Sequence, residues 1–250
     1  MIQLQQVYKS FGEKTILNGV SLHIEKGETF VIIGQSGTGK TVTLRHIGGL
    51  IDPDSGDVLI DGIKMNNANR KVKNKLREKM GIVFQSGALI NWMTVEENVA
   101  LPLVENKRIP RNEIDSIVHD RLRILQLLDA KDKMPSDISG GMKKRAGLAR
   151  VLVRNPEIIL YDEPTSGLDP VMSSLINNLI KKMKMEFGVT SVVVTHDMNS
   201  AYDIADRIAM LYNGEIIQCD TPERIMNSEN NIVKQFINGR LSGPIAVEQQ

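Results

Sequence analysis

Cysteine and long apolar runs are almost absent from this sequence of 250 residues. Cys219 is the only cysteine, so no disulfide can form within the chain, which is typical of proteins from a reducing compartment. No apolar run approaches the roughly 20 residues that a helix needs to cross a bilayer. The first residues lack a basic segment followed by an apolar one, so we expect no signal peptide. The sequence predicts a soluble protein. If this protein acts at a membrane, we expect another protein to hold it there.

An excess of either charge is lacking as well. The chain has 31 Lys and Arg against 30 Asp and Glu, a formal net charge of +1. This balance gives no general attraction to nucleic acid or to an anionic surface, and we predict no nucleic-acid partner. The local exception is a basic run from Lys64 to Lys79. A solvated helix face and a contact with anionic lipid headgroups are both compatible with that run.

The most informative segment that is present matches the phosphate-binding pattern G-x-x-x-x-G-K-[ST]. An apolar run typical of a buried strand precedes it, at 28–33, and apolar residues at helical spacing follow it, at 42–50. Its glycines let successive N–H groups face a polyphosphate, and the helix N-terminus adds a positive dipole. The lysine can reach the β- and γ-phosphates, and the final threonine can ligate Mg²⁺. The predicted nucleoside-triphosphate site consists of Gly34, Gln35, Ser36, Gly37, Thr38, Gly39, Lys40 and Thr41.

Two carboxylates follow a second apolar strand pattern, at 158–161. Asp162 stands at the carboxyl end of that strand, where we expect it to hold Mg²⁺ through its water shell. Glu163 is one residue further on and therefore points elsewhere, toward the place of an attacking water. A carboxylate there predicts a general base. The alternative, two acids in a solvated turn, is disfavoured by the phosphate loop upstream.

A second anion site is predicted at Ser139, Gly140 and Gly141. These residues precede a helical pattern, so Ser139 fits an N-cap and the glycines leave N–H groups open to an anion. Taken alone, the same residues are also compatible with an ordinary turn. Around these motifs, strand and helix patterns alternate, which predicts an α/β fold with a mostly parallel sheet and helices on both of its faces. A mostly helical stretch after Phe84 separates the phosphate loop from Asp162.

Taken together, these segments resemble the ATP-binding cassette (ABC) family of ATPases, over about residues 1–237. The motifs stand in the family's order: the loop 34–41, Gln85 after Val83-Phe84, Ser139-Gly140-Gly141-Met142, Leu160-Tyr161-Asp162-Glu163-Pro164, Ser166-Gly167-Leu168-Asp169 and Thr195-His196-Asp197. The resemblance implies a P-loop ATPase core, an N-terminal antiparallel β subdomain and an inserted α-helical subdomain over about residues 86–156. Residues 238–250 would form a C-terminal tail.

The resemblance also assigns roles to single residues. Phe11 would stack on adenine, Gln85 would contact Mg²⁺ or the attacking water and sense the transport partner, and His196 would contact the γ-phosphate. Asp169 would lie at the junction of two protomers. Two copies would close over two ATP molecules, each held between one chain's phosphate loop and the other's Ser139-Gly140-Gly141, and would drive a membrane permease. This chain has Met142 where the family signature usually ends in glutamine.

Some segments are similar to the ATPases of the Mla/Mce phospholipid transporters in particular. They are Phe84 to Leu89, Met142, and the C-terminal Gln235 to Gly239 followed by Gly243-Pro244. This similarity implies an integral-membrane permease, further lipid-transport subunits, and a peripheral location on the cytoplasmic face of the inner (plasma) membrane.

Two alternatives stay open. Polar amino-acid importers share His196-Asp197-Met198 and Ala205-Asp206-Arg207. A cassette of another class, acting in nucleic-acid repair, translation or cluster assembly, needs no permease. The long coiled-coil insertion of the repair members and the paired cassettes of the translation members are missing from this sequence.

The tail from Asn238 to Gln250 has no helical or strand periodicity. It contains too few apolar residues for a core of its own. It is either a frayed terminus or an extended segment that lies on the neighbouring protomer and tethers the pair. Gly243-Pro244 favours the extended path.

Overall fold

Two β-sheets organise the part of the chain that the computed structural model describes, residues 1–105 and 109–246. The first sheet is antiparallel, with strand order β2-β1-β4-β5. It consists of β1 (Ile2–Phe11), β2 (Lys14–Ile24), β4 (Ser55–Ile60) and β5 (Ile63–Lys64). The second sheet has the order β10-β9-β3-β8-β7-β6 and is parallel except for the hairpin β9-β10. It consists of β3 (Thr29–Ile33), β6 (Met80–Val83), β7 (Ile158–Asp162), β8 (Thr190–Thr195), β9 (Arg207–Tyr212) and β10 (Glu215–Asp220).

Helices cover both faces of the second sheet, as predicted. Because side chains alternate along a strand, Val31 and Ile33 of β3 pack into one core cluster and Phe30 and Ile32 into the other. The first cluster takes in α3 (Val95–Val104), α4 (Arg111–Ile124), α5 (Gly140–Leu152), α6 (Pro170–Phe187), α7 (Met198–Ile204), α8 (Pro222–Met226) and α9 (Asn231–Ile237). The second takes in α1 (Lys40–Ile47), α2 (Arg70–Glu78) and the antiparallel sheet. The parallel strands therefore end at one shared edge, between two covered faces.

Local signals explain where several of these elements begin and end. Ser139 caps α5 by accepting a hydrogen bond from the backbone N–H of Met142. Thr221 caps α8, and proline fills the first helical position after it. Asn213 and Gly214 both have positive φ, 47° and 78°, which is the backbone of a two-residue hairpin turn between β9 and β10.

The first two strands are long but irregular. β1 and β2 are 10 and 11 residues long. Their pairing is interrupted by register shifts, one of them between Leu4 and Val7, where Gln6 adopts φ 48°. Such bulges break the alternation of buried and exposed residues, so one long strand looks like several short ones in the sequence.

The basic run lies on α2 and the residues around it. Leu76 is buried, whereas Lys73 pairs with Asp52 at 2.8 Å and Lys79 with Asp61 at 2.7 Å. Part of the positive charge is therefore matched within the chain, which is compatible with the solvated helix face. Among the described residues, no helix is both long and apolar enough to cross a bilayer.

The described part of the tail returns to its own chain. Ile245 is 4% exposed and packs in the first core cluster. The Gln235 side chain accepts a hydrogen bond from the Ile245 N–H at 2.7 Å and donates one to the Ile245 carbonyl at 3.0 Å. Up to residue 246, one amide side chain and one apolar side chain therefore anchor the tail to its own chain. The prediction for residues 247–250 lies outside the described residues.

Candidate functional site

The phosphate loop connects β3 to α1 at the shared edge of the parallel strands. A Cβ at Gly34 would lie 2.4 Å from the carbonyl oxygen of Leu211, and Gly34 has φ 154°. Gly39 has φ 103°, and a Cβ there would lie 2.9 Å from the Leu17 side chain. Only glycine fits at these two positions. The loop therefore lies tightly against β2 and β9, and α1 begins at Lys40 directly behind it.

Lys40 is a buried ammonium group inside this loop, with 5% of its surface exposed. Its Nζ donates to the carbonyl oxygens of Gly34 at 2.8 Å and Gln35 at 2.9 Å, and lies 3.8 Å from Glu163 Oε1. Burial lowers the pKa of Lys40 below its ordinary value, while the carboxylates of Glu163 and Asp162 act in the opposite direction. An anionic ligand in the loop would meet this ammonium together with the N–H groups of the loop.

Thr41 and Asp162 bring a hydroxyl and a carboxylate together across the sheet edge. Thr41 Oγ1 donates to Asp162 Oδ1 at 2.8 Å. Burial raises the pKa of Asp162, although the hydrogen bond from Thr41 partly opposes this effect. Oxygen ligands are what Mg²⁺ prefers. The residues present therefore fit a magnesium ion that is completed by water and by phosphate oxygens.

Glu163 lies between Lys40 and His196. Its Oε2 is 2.9 Å from His196 Nδ1 and accepts a hydrogen bond from Thr195 Oγ1 at 3.4 Å. Its backbone is in the left-handed region, with φ 49°, which is uncommon for a residue other than glycine. This conformation turns its side chain away from that of Asp162, so the two adjacent carboxylates contact different partners.

These side chains surround a cavity of about 340 Å³. Phe11, 52% exposed, stands at the rim, and Gln85 joins the wall while its Nε2 donates to Ser166 Oγ at 3.1 Å. Of the predicted residues, the lining includes Phe11, Ser36, Gly37, Gly39, Lys40, Thr41, Gln85, Glu163 and His196. Gly34, Gln35, Thr38 and Asp162 adjoin it through the contacts of Lys40 and Thr41 and through the bond from Thr38 Oγ1 to the Gln35 carbonyl oxygen. Ile16 and Val42 also line it; sequence reasoning missed both, because single apolar residues carry no motif.

The remaining predicted residues form a second cluster outside this cavity. Ser139 and Gly140 stand at the start of α5, and a Cβ at Gly141 would lie 2.6 Å from Met172 Cε. Asp169 caps α6, accepting from the N–H groups of Val171 and Met172 at 3.0 Å each. Met142 packs against the first core cluster, so it serves as an apolar contact in this chain. The start of α5, predicted to bind an anion, does not line the cavity around Lys40.

Similarity to known proteins extends over the whole chain. The family model described as ABC transporter matches residues 17–166. The probable ribonucleotide transport ATP-binding protein mkl of Mycobacterium leprae is 40% identical over 249 residues, covering 100% of this chain and 72% of that protein. The methionine import ATP-binding protein MetN 1 of Bacillus cereus is 38% identical over 255 residues, covering 100% and 73%. The intermembrane phospholipid transport system ATP-binding protein MlaF of Haemophilus influenzae is 36% identical over 245 residues, covering 98% and 93%.

Solved structures agree with these relatives. A dimeric post-hydrolysis state of the ATP-binding cassette MJ0796, bound to ADP and Pi, has a TM-score of 0.82 at 38% identity. The match covers 89% of this chain and 99% of the MJ0796 chain. The predicted fold class, a P-loop ATPase core with an N-terminal antiparallel β subdomain and an inserted α-helical subdomain, is confirmed by this likeness.

Proposed function

This chain belongs to the ABC transporter family and is an ATPase of that family, and we propose that it powers a permease moving phospholipid between membranes. One observation carries the choice of cargo. A relative named for intermembrane phospholipid transport is 36% identical to this chain over 245 residues, which cover 98% of it. The Gln235 to Ile245 fold-back also gives a structural role to part of the C-terminal segment that resembles the lipid-transport ATPases.

We assign the steps of hydrolysis to residues of the cavity. Lys40 and the N–H groups of the loop 34–41 hold the phosphates of ATP, which take the place of the carbonyl contacts that Lys40 now makes. Glu163 accepts the proton of the attacking water as general base. His196, 2.9 Å from Glu163 Oε2, orients that carboxylate and contacts the γ-phosphate. Phe11 stacks on the adenine at the rim.

Thr41, Asp162 and Gln85 would hold Mg²⁺, which neutralises the charge that develops on the transferred phosphoryl group. The hydroxyl of Thr41 would contact the ion directly, and the carboxylate of Asp162 would hold its water shell. Gln85 bridges from this position to Ser166. A movement of the segment that begins at Gln85 would therefore displace both the proposed magnesium site and the turn after Glu163.

A second copy of the chain completes the site in this proposal. Ser139, Gly140, Gly141 and Asp169 lie outside the cavity of their own chain, at an exposed end of α5 and the start of α6. The related cassette MJ0796 was solved as a dimer with ADP and Pi. Two copies facing each other would each supply one phosphate loop and one Ser-Gly-Gly helix end to a shared nucleotide.

The permease and any further lipid-transport subunits would hold the pair at the cytoplasmic face of the inner (plasma) membrane. The surface that favours such a partner follows Gln85. Trp92, in the segment between β6 and α3, has 79% of its surface exposed, an unusual state for a large aromatic side chain. Aromatic anchors of this kind dominate the energetics of protein interfaces.

The alternatives make different predictions. An importer of a polar amino acid, the first alternative, agrees with the relative named for methionine import. A cassette without a permease would purify without any membrane-spanning protein.

The deciding experiment is purification of the tagged full-length chain from its own cells in mild detergent, followed by solvent extraction of the bound ligand. We expect a membrane subunit with several spanning helices to co-purify and phospholipid to be extracted from the complex. A Trp92→Ala chain should co-purify with less of that subunit and should hydrolyse ATP at the normal rate. A permease whose reconstituted complex responds to methionine and not to phospholipid would establish the importer. Absence of any membrane-spanning subunit would establish the other class.

A further inference from the structure

Lys144 is a buried ammonium group that belongs neither to the phosphate loop 34–41 nor to the predicted anion site Ser139-Gly140-Gly141. It lies on α5, five residues after Ser139, with 7% of its surface exposed. Its Nζ donates to the carbonyl oxygen of Ser166 at 2.6 Å and lies 3.4 Å from that of Glu163. Burial lowers the pKa of Lys144, and the charge of Glu163 acts against that shift. A buried cation is costly unless it is well partnered, and here its partners are two backbone oxygens of one short turn.

That turn carries the strained backbone of Glu163. It begins with φ 49° at Glu163 and is closed by a hydrogen bond from the Ser166 N–H to the Glu163 carbonyl at 3.2 Å. On its other side, the Glu163 N–H donates to the carbonyl of Val194 at 2.9 Å. A conformation of this kind persists only where its surroundings impose it. The hydrogen bonds of Lys144 reach this turn from α5.

We propose that Lys144 is a positioning residue for Glu163. By holding the carbonyls of Glu163 and Ser166 on the α5 side, its ammonium fixes the direction in which the Glu163 side chain leaves the backbone. That direction places the carboxylate 2.9 Å from His196 and 3.8 Å from Lys40. The catalytic consequence depends on the role of Glu163 as general base proposed above.

The position of Lys144 also links the two halves of the proposed dimer. The same helix presents Ser139, Gly140 and Gly141 at its first turn and Lys144 one turn later. When the nucleotide held by the partner's phosphate loop binds at the start of α5, any displacement of that helix is transmitted through Lys144 to the turn that orients Glu163 in the chain's own site. Neighbouring close packing, such as that of Gly147 on Gly87, leaves α5 little freedom to move without the segment after Gln85.

The test compares two buried cations of one helix in the full chain. Lys144→Met removes the donor and keeps all but the last atom of the side chain's length. We expect kcat to fall on the order of tenfold to hundredfold, as a displaced catalytic group does, while the equilibrium Kd for MgATP changes by less than about threefold, since Lys144 does not line the cavity. Lys144→Arg, which retains charge and donors, should restore most of kcat.

The matched control is Arg145→Met. Arg145 is 9% exposed and donates to the carbonyls of Leu125 at 2.8 Å and Gln126 at 3.1 Å, away from the cavity. Its loss should lower the melting temperature and leave kcat per folded molecule unchanged. If Arg145→Met lowers kcat as much as Lys144→Met, or if Lys144→Arg restores nothing, the effect is a general loosening of α5 and the proposal is overturned.

Two further outcomes are separable. If Lys144→Met does not fold, Lys144→Gln replaces it, because the shorter amide cannot reach both carbonyls; an unchanged kcat in the folded Gln variant overturns the proposal. Glu163→Gln is measured beside it. If Glu163→Gln still hydrolyses ATP, Glu163 is not the general base. If Glu163→Gln is inactive and Lys144→Met is fully active, the base assignment stands and the positioning role of Lys144 is wrong.

Discussion

At the scale of single residues, the contacts of Glu163 predict that nucleotide binding and hydrolysis can be separated by substitution. Its carboxylate contacts His196 and Thr195 and lies near Lys40, but only Lys40 among these groups belongs to the phosphate loop. The loop's N–H groups and ammonium can bind nucleotide without Glu163. Removing the carboxylate and removing the ammonium should therefore have different consequences.

We expect Glu163→Gln to keep its affinity for MgATP and to lose turnover by about 10²–10⁴-fold, because the amide keeps the shape of the side chain and loses the base. Phosphate release at steady state, measured beside equilibrium nucleotide binding, checks both halves. Lys40→Ala serves as the contrast, since loss of its positive charge should weaken binding itself. Substantial residual hydrolysis by Glu163→Gln would assign the base to another group.

Asp162 should impose a cost on the stability of the nucleotide-free protein. Its pKa in the folded chain is raised, chiefly by burial, so the ionised carboxylate lowers stability at neutral pH, and this cost disappears as the pH falls through the folded-state pKa. Asp162→Asn retains an acceptor for the Thr41 hydroxyl. We expect a higher melting temperature than in the parent at neutral pH and a smaller difference at acidic pH.

The same variant should lose much of the stabilisation that MgATP gives, since the carboxylate that would hold the ion is gone. Thermal unfolding with and without MgATP, at both pH values, measures these effects. An Asp162→Asn protein that melts below the parent at neutral pH without nucleotide would contradict this account of its burial.

At the scale of the elements, hydrogen bonds between α6 and α7 fix the segment that carries His196. Asp197, directly after His196, caps α7 by accepting from the N–H groups of Asn199 and Ser200. Ser200 Oγ donates to Asp197 Oδ2 at 2.6 Å and accepts from Asn177 Nδ2 at 3.1 Å. The chain of contacts continues from Asp197 to Thr165 Oγ1 at 3.3 Å, within the turn after Glu163. Both sides of the Glu163–His196 contact are therefore held by one network.

We expect Ser200→Ala to lower the free energy of unfolding by about 1 kcal/mol, as the loss of one buried hydrogen-bonding group does. It should lower kcat more than it lowers MgATP affinity, because the start of α7 and His196 lose an anchor. Urea unfolding and steady-state kinetics measure the two effects, and Ser174→Ala, an exposed serine on α6, is the matched control. Equal losses in kcat and in affinity would mean that the network supports the pocket as a whole.

At this scale the sequence predicts those features that are determined by a few adjacent residues. The phosphate loop with its flanking strand and helix and the cap at Ser139 each depend on a few adjacent residues, and the structure places both as the motif requires. Contacts between distant segments leave no local signal. The pairing of Lys144 with the turn after Glu163, and the anchoring of Ile245 by Gln235, emerge only when the chain is folded. The bulges of β1 hide its length for a related reason, since they break the period of two on which strand prediction depends.

At the scale of the whole molecule, the predicted nucleotide residues fall into two groups that one chain does not join. The cavity around Lys40 is lined by residues of the loop and by Glu163 and His196, and the Ser139 helix end is not part of its wall. A two-fold dimer would bring each group against the other chain's complement, because a two-fold axis places the same two patches together twice. This arrangement has a consequence that single-chain variants cannot test.

A mixture of two inactive chains should regain activity if sites are built from both. In a dimer of one Lys40→Ala chain and one Ser139→Arg chain, one site carries both lesions, and the other combines an intact loop with an intact Ser139. Both homodimers carry a lesion in every site. At equal mixing half of the dimers are mixed, so recovery should approach about a quarter of the parent's ATPase activity if sites act independently. The measurement is ATPase rate against mixing ratio after subunit exchange, with each variant mixed with parent chain as control. Activity that stays at the level of the two variants at every ratio would mean that each chain binds and hydrolyses its nucleotide without the partner's Ser139.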